Sequence, residues 1–136
     1  MYVDVYKKAS IANESKRAIE YRVFAEITGE LSKANLEGAS PKSRINALFR
    51  NSQLWLTLEA DLVSPNNGLD RELKAGLISL AIWVRKTTPI AMRKNEDLEP
   101  FISVNRQIME GLMMAERNAR QTQYPAHTSE AARLSA

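Results

Sequence analysis

The sequence predicts an all-α protein: a compact bundle of four main helices, with a short helix or an arm at the N-terminus and a flexible C-terminal tail. Three observations carry that prediction. Apolar residues recur at steps of three and four through four long segments, the period of a helix with one buried face. Between the segments stand Gly38, Ser40-Pro41, Pro65-Asn66-Asn67-Gly68 and Asn95-Glu96-Asp97, the residue types that stop and start helices. The one short β-branched cluster lies within Leu77 to Val84, inside a helical pattern, so alternating strands have no place to form.

Residues 1–13 place Tyr2, Val5, Tyr6 and Ala9 at helical spacing, which fits either a short helix or an arm lying on the bundle. The first long helix is expected from about Glu14 to Leu36, with Asn13 or Ser15 accepting hydrogen bonds from the unpaired N–H groups of the first turn. Its stripe is Tyr21, Phe24, Ile27, Leu31 and Ala34, widened by Ile19 and Val23. Gly38 ends it, because glycine enters the left-handed conformation of a helix C-terminus without steric cost.

Ser40-Pro41 starts the second helix, since Ser caps and Pro at the first position has no N–H to leave unpaired. It is expected to reach about Val63. Ile45, Leu48, Ser52, Trp55, Glu59 and Leu62 form a row whose polar members imply a partly wet face, with Leu54 and Leu58 to one side. The third helix runs from about Asp70 into Thr87-Thr88-Pro89, where Pro89 removes a donor and must end or kink it, leaving Ile90 to Lys94 as a kinked turn. Leu73, Leu77, Leu80 and Val84 mark one face, while Ile78, Ile82 and Trp83 occupy others, a distribution that suits a central helix. Asn95-Glu96-Asp97 and Pro100 then begin a fourth helix, expected over about Asp97 to Glu116 with the stripe Leu98, Phe101, Ile102, Asn105, Ile108, Met109 and Leu112. Residues 1–116 thus read as a single helical domain and residues 117–136 as a disordered tail.

Composition narrows the function. With 19 Lys plus Arg against 16 Asp plus Glu the net charge is only +3, which does not by itself make a nucleic-acid binder. Zero cysteines exclude disulfides, thiol nucleophiles and thiolate metal sites. The longest apolar run, Leu77 to Val84, is far shorter than the roughly 20 residues of a membrane-spanning helix, and the N-terminus lacks the apolar stretch of a signal peptide. A cytoplasmic protein with no membrane insertion is therefore expected.

Catalysis is poorly provided for. The single histidine, His127, falls in the tail, away from any scaffold that could aim it, and Glu96-Asp97-Glu99 is explained by helix-start electrostatics rather than by metal binding. No phosphate-binding loop or metal-protease motif is present, so no enzyme, cofactor or metal is expected. The basic pairs Lys7-Lys8, Lys16-Arg17, Arg85-Lys86 and Arg93-Lys94 could converge on phosphates but read more simply as a solvated rim. Met109, Met113 and Met114, beside Ile108 and Leu112, suit an adaptable groove for an amphipathic helix, although their spacing favours a plainer reading in which Met109 fills core space and Met113 and Met114 cover its edge. Asn105, within an apolar stripe, is expected to be a buried amide that fixes the register between helices or caps a backbone carbonyl, rather than a ligand-binding residue.

Four ordered segments resemble the flagellar biosynthesis regulator FlaF family over roughly residues 2–113. They are Glu20-Tyr21-Arg22-Val23-Phe24 with Thr28 and Leu31; Asn51 with Leu54-Trp55; Ile78-Ser79-Leu80-Ala81-Ile82-Trp83-Val84; and Asn105-Arg106-Gln107-Ile108-Met109-Glu110-Gly111-Leu112. The last two are the most specific, and the tail from Met114 departs from the pattern. The resemblance implies a small cytoplasmic helical protein that binds flagellin as an export chaperone or assembly factor, with FlbT as its partner in regulation and no catalytic residues. Phe24, Trp55, Met109, Leu112 and Met113 are the candidate partner-binding residues, chosen as groove-forming side chains and given no contact role by the resemblance. The alternative is a post-transcriptional regulator that contacts flagellin messenger RNA, directly through the basic pairs or by way of FlbT.

Overall fold

The computed structural model describes residues 16–123 and shows four α-helices: α1 (Lys16–Ala34), α2 (Pro41–Leu62), α3 (Arg71–Arg93) and α4 (Glu99–Gln123). No strand occurs among the described residues. The N-terminal segment 1–13, His127 and Lys7-Lys8 lie outside them. These residues divide into two compact units. One is Phe24–Arg106; the other comprises, among the described residues, 16–23 and 107–123.

Local chemistry explains each boundary within Phe24–Arg106. The chain leaves α1 through a turn in which the Asn35 N–H donates to the Leu31 carbonyl (2.9 Å) and the Ala39 N–H to Leu36 (3.1 Å). Gly38 sits there at a φ of 86°, past the end of the helix rather than at its cap. Ser40 then caps α2: its hydroxyl accepts from the Ser43 N–H at 3.1 Å, and Pro41 takes the first helical position. After Leu62, Asn67 pins the connection by donating from Nδ2 to Asp61 (3.2 Å) and accepting from the Leu69 N–H (3.0 Å).

Of the two outcomes open at Pro89, an end or a kink, the end does not occur: the helix continues to Arg93. Val84, Thr88 and Ala91 are buried at steps of four and three, on one face spanning the proline, so packing holds the helix across the missing donor. The Thr88 hydroxyl adds a bond to the Val84 carbonyl at 2.6 Å. Its buried residues, Ala81, Val84, Thr88 and Ala91, are small and lie on one face, while Leu77, Ile78, Leu80, Ile82 and Trp83 are half-buried and Leu73 is exposed. It packs against α2, and Trp83 meets Phe101 of α4 with ring centroids 5.1 Å apart.

Among the described residues the fully enclosed side chains all belong to Phe24–Arg106, and the largest are Trp55, Phe24, Leu31, Leu48, Leu62 and Leu98. The α2 core row is Leu48, Asn51, Trp55 and Leu62, and Ile45, expected in it, is 45% exposed. At the other end of the sequence α4 continues to Gln123, beyond the Glu116 limit that the loss of apolar period suggested.

Candidate partner-binding surfaces

Trp55 organises the interior of Phe24–Arg106. Phe24 meets it edge to face with ring centroids 5.8 Å apart, the arrangement aromatic quadrupoles prefer. Its indole Nε1–H donates to Asn105 Oδ1 at 2.8 Å, and Asn105 Nδ2 donates to Asn51 Oδ1 at 2.8 Å. An indole can only donate, so it dictates which end of the Asn105 amide faces it, and Asn105 in turn dictates the orientation of Asn51. All three residues are at most 1% exposed. Asn105 is thus a buried tie between α4 and α2, matching the register role expected of it. The polarity relay ends on Asn51 Nδ2, which has no hydrogen-bond partner, as is true of the buried Thr28 Oγ1.

A second tie joins the start of α4 to the end of α1. Asn35 donates to Asp97 Oδ1 (2.8 Å) and accepts from the Leu98 N–H (2.8 Å), while the Glu99 N–H also donates to Asp97 (3.0 Å). The Asn35 amide, and after it the Glu99 N–H, hold the Asp97 carboxyl below its ordinary value. Arg44 donates to the Lys94 and Glu96 carbonyls. Asn35, Arg44, Glu96 and Asp97 line an open depression with Glu37, but its polar groups are largely engaged with one another. No group of three His, Cys, Asp or Glu residues able to hold a metal ion occurs among the described residues. None of the described helices is long and apolar enough to cross a membrane.

Of the five candidate partner-binding residues, Phe24 and Trp55 are sealed inside Phe24–Arg106, at 2% and 1% exposure, and present no surface there. Met109, Leu112 and Met113 belong to the other unit. Together with Ile108 they form one face of α4, since residues at i, i+1, i+4 and i+5 lie on the same side of a helix. Ile108, Met109 and Leu112 are half-buried, Met113 is 39% exposed and Met114 62% exposed. Arg117 Nη2 reaches Met113 Sδ at 3.7 Å.

Sequence reasoning missed a second apolar face. Ile45, Phe49, Leu56 and Val63 are 45%, 54%, 54% and 65% exposed and follow one another by steps of four, seven and seven along α2. That spacing is a period of its own, turned away from the Leu48–Trp55–Leu62 row, and it was the signal available. Ion pairs flank it, Arg50 with Glu30 of α1 on one side and Glu59 with Arg85 of α3 on the other.

The family model for the flagellar protein FlaF matches residues 2–112. No curated protein and no solved structure matches the chain. The matched span takes in the Trp55–Asn105–Asn51 relay and the α4 face as far as Leu112, and stops before Met113. With most of its length accounted for in this way, the chain belongs to the FlaF family of flagellar proteins.

Proposed function

We propose that this chain is a cytoplasmic regulator of flagellar biosynthesis that binds flagellin before export, acting as a chaperone or assembly factor and so promoting flagellin production and filament assembly. The observation that supports it best is the face of α4, where Ile108, Met109 and Leu112 are half-covered and Met113 and Met114 stand exposed. Unbranched, polarizable methionines adapt to varied apolar partners, and an amphipathic terminal segment of flagellin is a helix of the kind such a surface accepts. Covering that segment delays polymerisation. A chaperone must also release its cargo, and a contact made of flexible apolar side chains with few buried charges gives moderate affinity. FlbT is the proposed partner in regulation.

Size-exclusion chromatography with light scattering tests the reading, with the protein run alone, with flagellin, and separately with flagellin leader RNA. Co-elution with flagellin at a defined mass is expected. Salt-sensitive retention of RNA without flagellin would replace it with direct RNA contact, for which the exposed Lys86 and Arg93 of α3 and Lys94 just past its end are the available groups. Association with FlbT alone would make the protein an adaptor.

A further inference from the structure

The connection between α2 and α3 plays no part in the flagellin reading, and it contains a reactive pair. Asn67 is the only asparagine of the chain that a glycine follows. The side-chain carbonyl carbon of an asparagine can be attacked by the backbone nitrogen of the next residue, provided that the backbone between them folds towards the side chain. Glycine, without a Cβ, permits that approach more readily than any other residue. Gly68 is exposed, and its N–H makes no hydrogen bond among the described residues, so the nucleophilic nitrogen is not engaged elsewhere.

The Asn67 side chain is half-buried and held at both ends. Its Oδ1 accepts from the Leu69 N–H at 3.0 Å, and its Nδ2 donates to Asp61 Oδ2 at 3.2 Å. These two bonds act on the reaction in opposite senses. A donor on Oδ1 draws electrons from the carbonyl and steadies the oxyanion that attack creates. The Asp61 carboxylate restrains the amide that must leave, and its negative charge disfavours loss of the proton from the nitrogen of the adjoining Gly68. One neighbour primes the site and the other guards it. The same contacts set what conversion does to the fold. Asp70, at the head of α3, makes no capping bond with its side chain, so Asn67 is the residue that ties the start of that helix to the end of α2.

We propose that Asn67 is a site of spontaneous modification, converted by cyclisation with Gly68 to aspartate and isoaspartate, and that the new carboxylate undoes the tie to Asp61. The Gly68 nitrogen gives up its proton and bonds to Asn67 Cγ. The Cγ–Nδ2 bond breaks, and the nitrogen leaves as ammonia with that proton. Water then opens the cyclic imide: addition at Cγ gives aspartate, and addition at the backbone carbonyl gives isoaspartate. Water is the sole co-reactant. A donor that faced the Asp61 carboxylate at 3.2 Å becomes an anion facing an anion. In isoaspartate the main chain is also rerouted through Cγ, which displaces the Leu69 N–H from its partner. No reverse step restores the amide, so the joint records the age of the molecule.

The intact protein, held in mildly alkaline buffer and sampled over weeks, tests this by peptide mapping, with isoaspartyl methyltransferase labelling to detect the rearranged product. Both products should accumulate at Asn67 before any other asparagine reacts. Gly68→Ala should slow the conversion at least about tenfold, because a side chain restrains the approach of the nitrogen. It should leave the turn intact, since a Cβ there meets nothing within 4 Å and the backbone lies outside the left-handed region. Asp61→Ala should speed the conversion severalfold. Asn67→Asp carries one product from the start, and its denaturation midpoint should fall, by less in an Asp61→Ala background than in wild type, the mark of a pair in contact. Aged wild-type protein, separated by its added negative charge, should show the same fall without any substitution. Reaction spread over several asparagines, a rate unchanged in Gly68→Ala or not raised in Asp61→Ala, or a midpoint loss that is the same with and without Asp61 would each overturn the proposal.

Discussion

The interior around Trp55 and the methionine face of α4 are both built from large apolar side chains, yet they are organised in opposite ways. Around Trp55 the side chains of Phe24, Asn51 and Asn105 are enclosed and one hydrogen-bond relay selects a single arrangement. On the α4 face no described side chain is fully buried, and the terminal residues are methionines, which repack easily. The difference separates a scaffold that must hold one geometry from a surface suited to accommodating another molecule.

Substitutions at the two places should therefore differ in what they break. Trp55→Ala should cost about 3–5 kcal/mol, seen as a fall in the denaturation midpoint, because it empties a core site and strands the Asn105 oxygen. Asn105→Leu keeps the volume but leaves the Trp55 N–H and the Asn51 oxygen unpaired. At about 1–3 kcal/mol for each buried orphan it should cost roughly 2–6 kcal/mol by the same measurement. Met113→Lys should leave the midpoint within about 0.5 kcal/mol of wild type and weaken flagellin binding about tenfold in titration calorimetry. Equal loss of stability at Met113 and Asn105 would erase the distinction.

Smaller effects sharpen the picture of the joints in Phe24–Arg106. Gly38→Ala should cost about 1 kcal/mol in the same unfolding assay, all of it backbone strain, since a methyl group there meets nothing within 4 Å. Asp97 carries the smallest effect. Its folded carboxyl titrates below the ordinary 3.8, so its contribution is complete above that value and is lost as the pH falls through the lower folded value. An acid titration of Asp97→Asn should accordingly show a shallower loss of stability below pH 3.8 than wild type.

The helices were legible because their stripes and the punctuation at Ser40-Pro41 and Pro65-Asn66-Asn67-Gly68 agree. Pro89 misled because a local rule describes the missing donor, whereas the burial of Val84, Thr88 and Ala91 on both sides of it is a property of the packed unit. Asn105 stood out as a polar residue in an apolar stripe, but its partners lie at least 50 residues away in the sequence, and no local pattern points to them. The α2 row was passed over for a related reason: two apolar periods share one helix, and only the neighbours decide which of them is covered. The same neighbours enclosed Phe24 and Trp55, which were candidates for a groove although core is the plainer reading of a tryptophan at helical spacing.

The indole proton of Trp55 is held by a buried amide, and the residue is 1% exposed. Deuterium should reach it only when the whole of Phe24–Arg106 opens, whereas the indole of half-buried Trp83 should exchange through local breathing. One well-separated resonance can therefore time global opening, and the second provides an internal clock for everything faster.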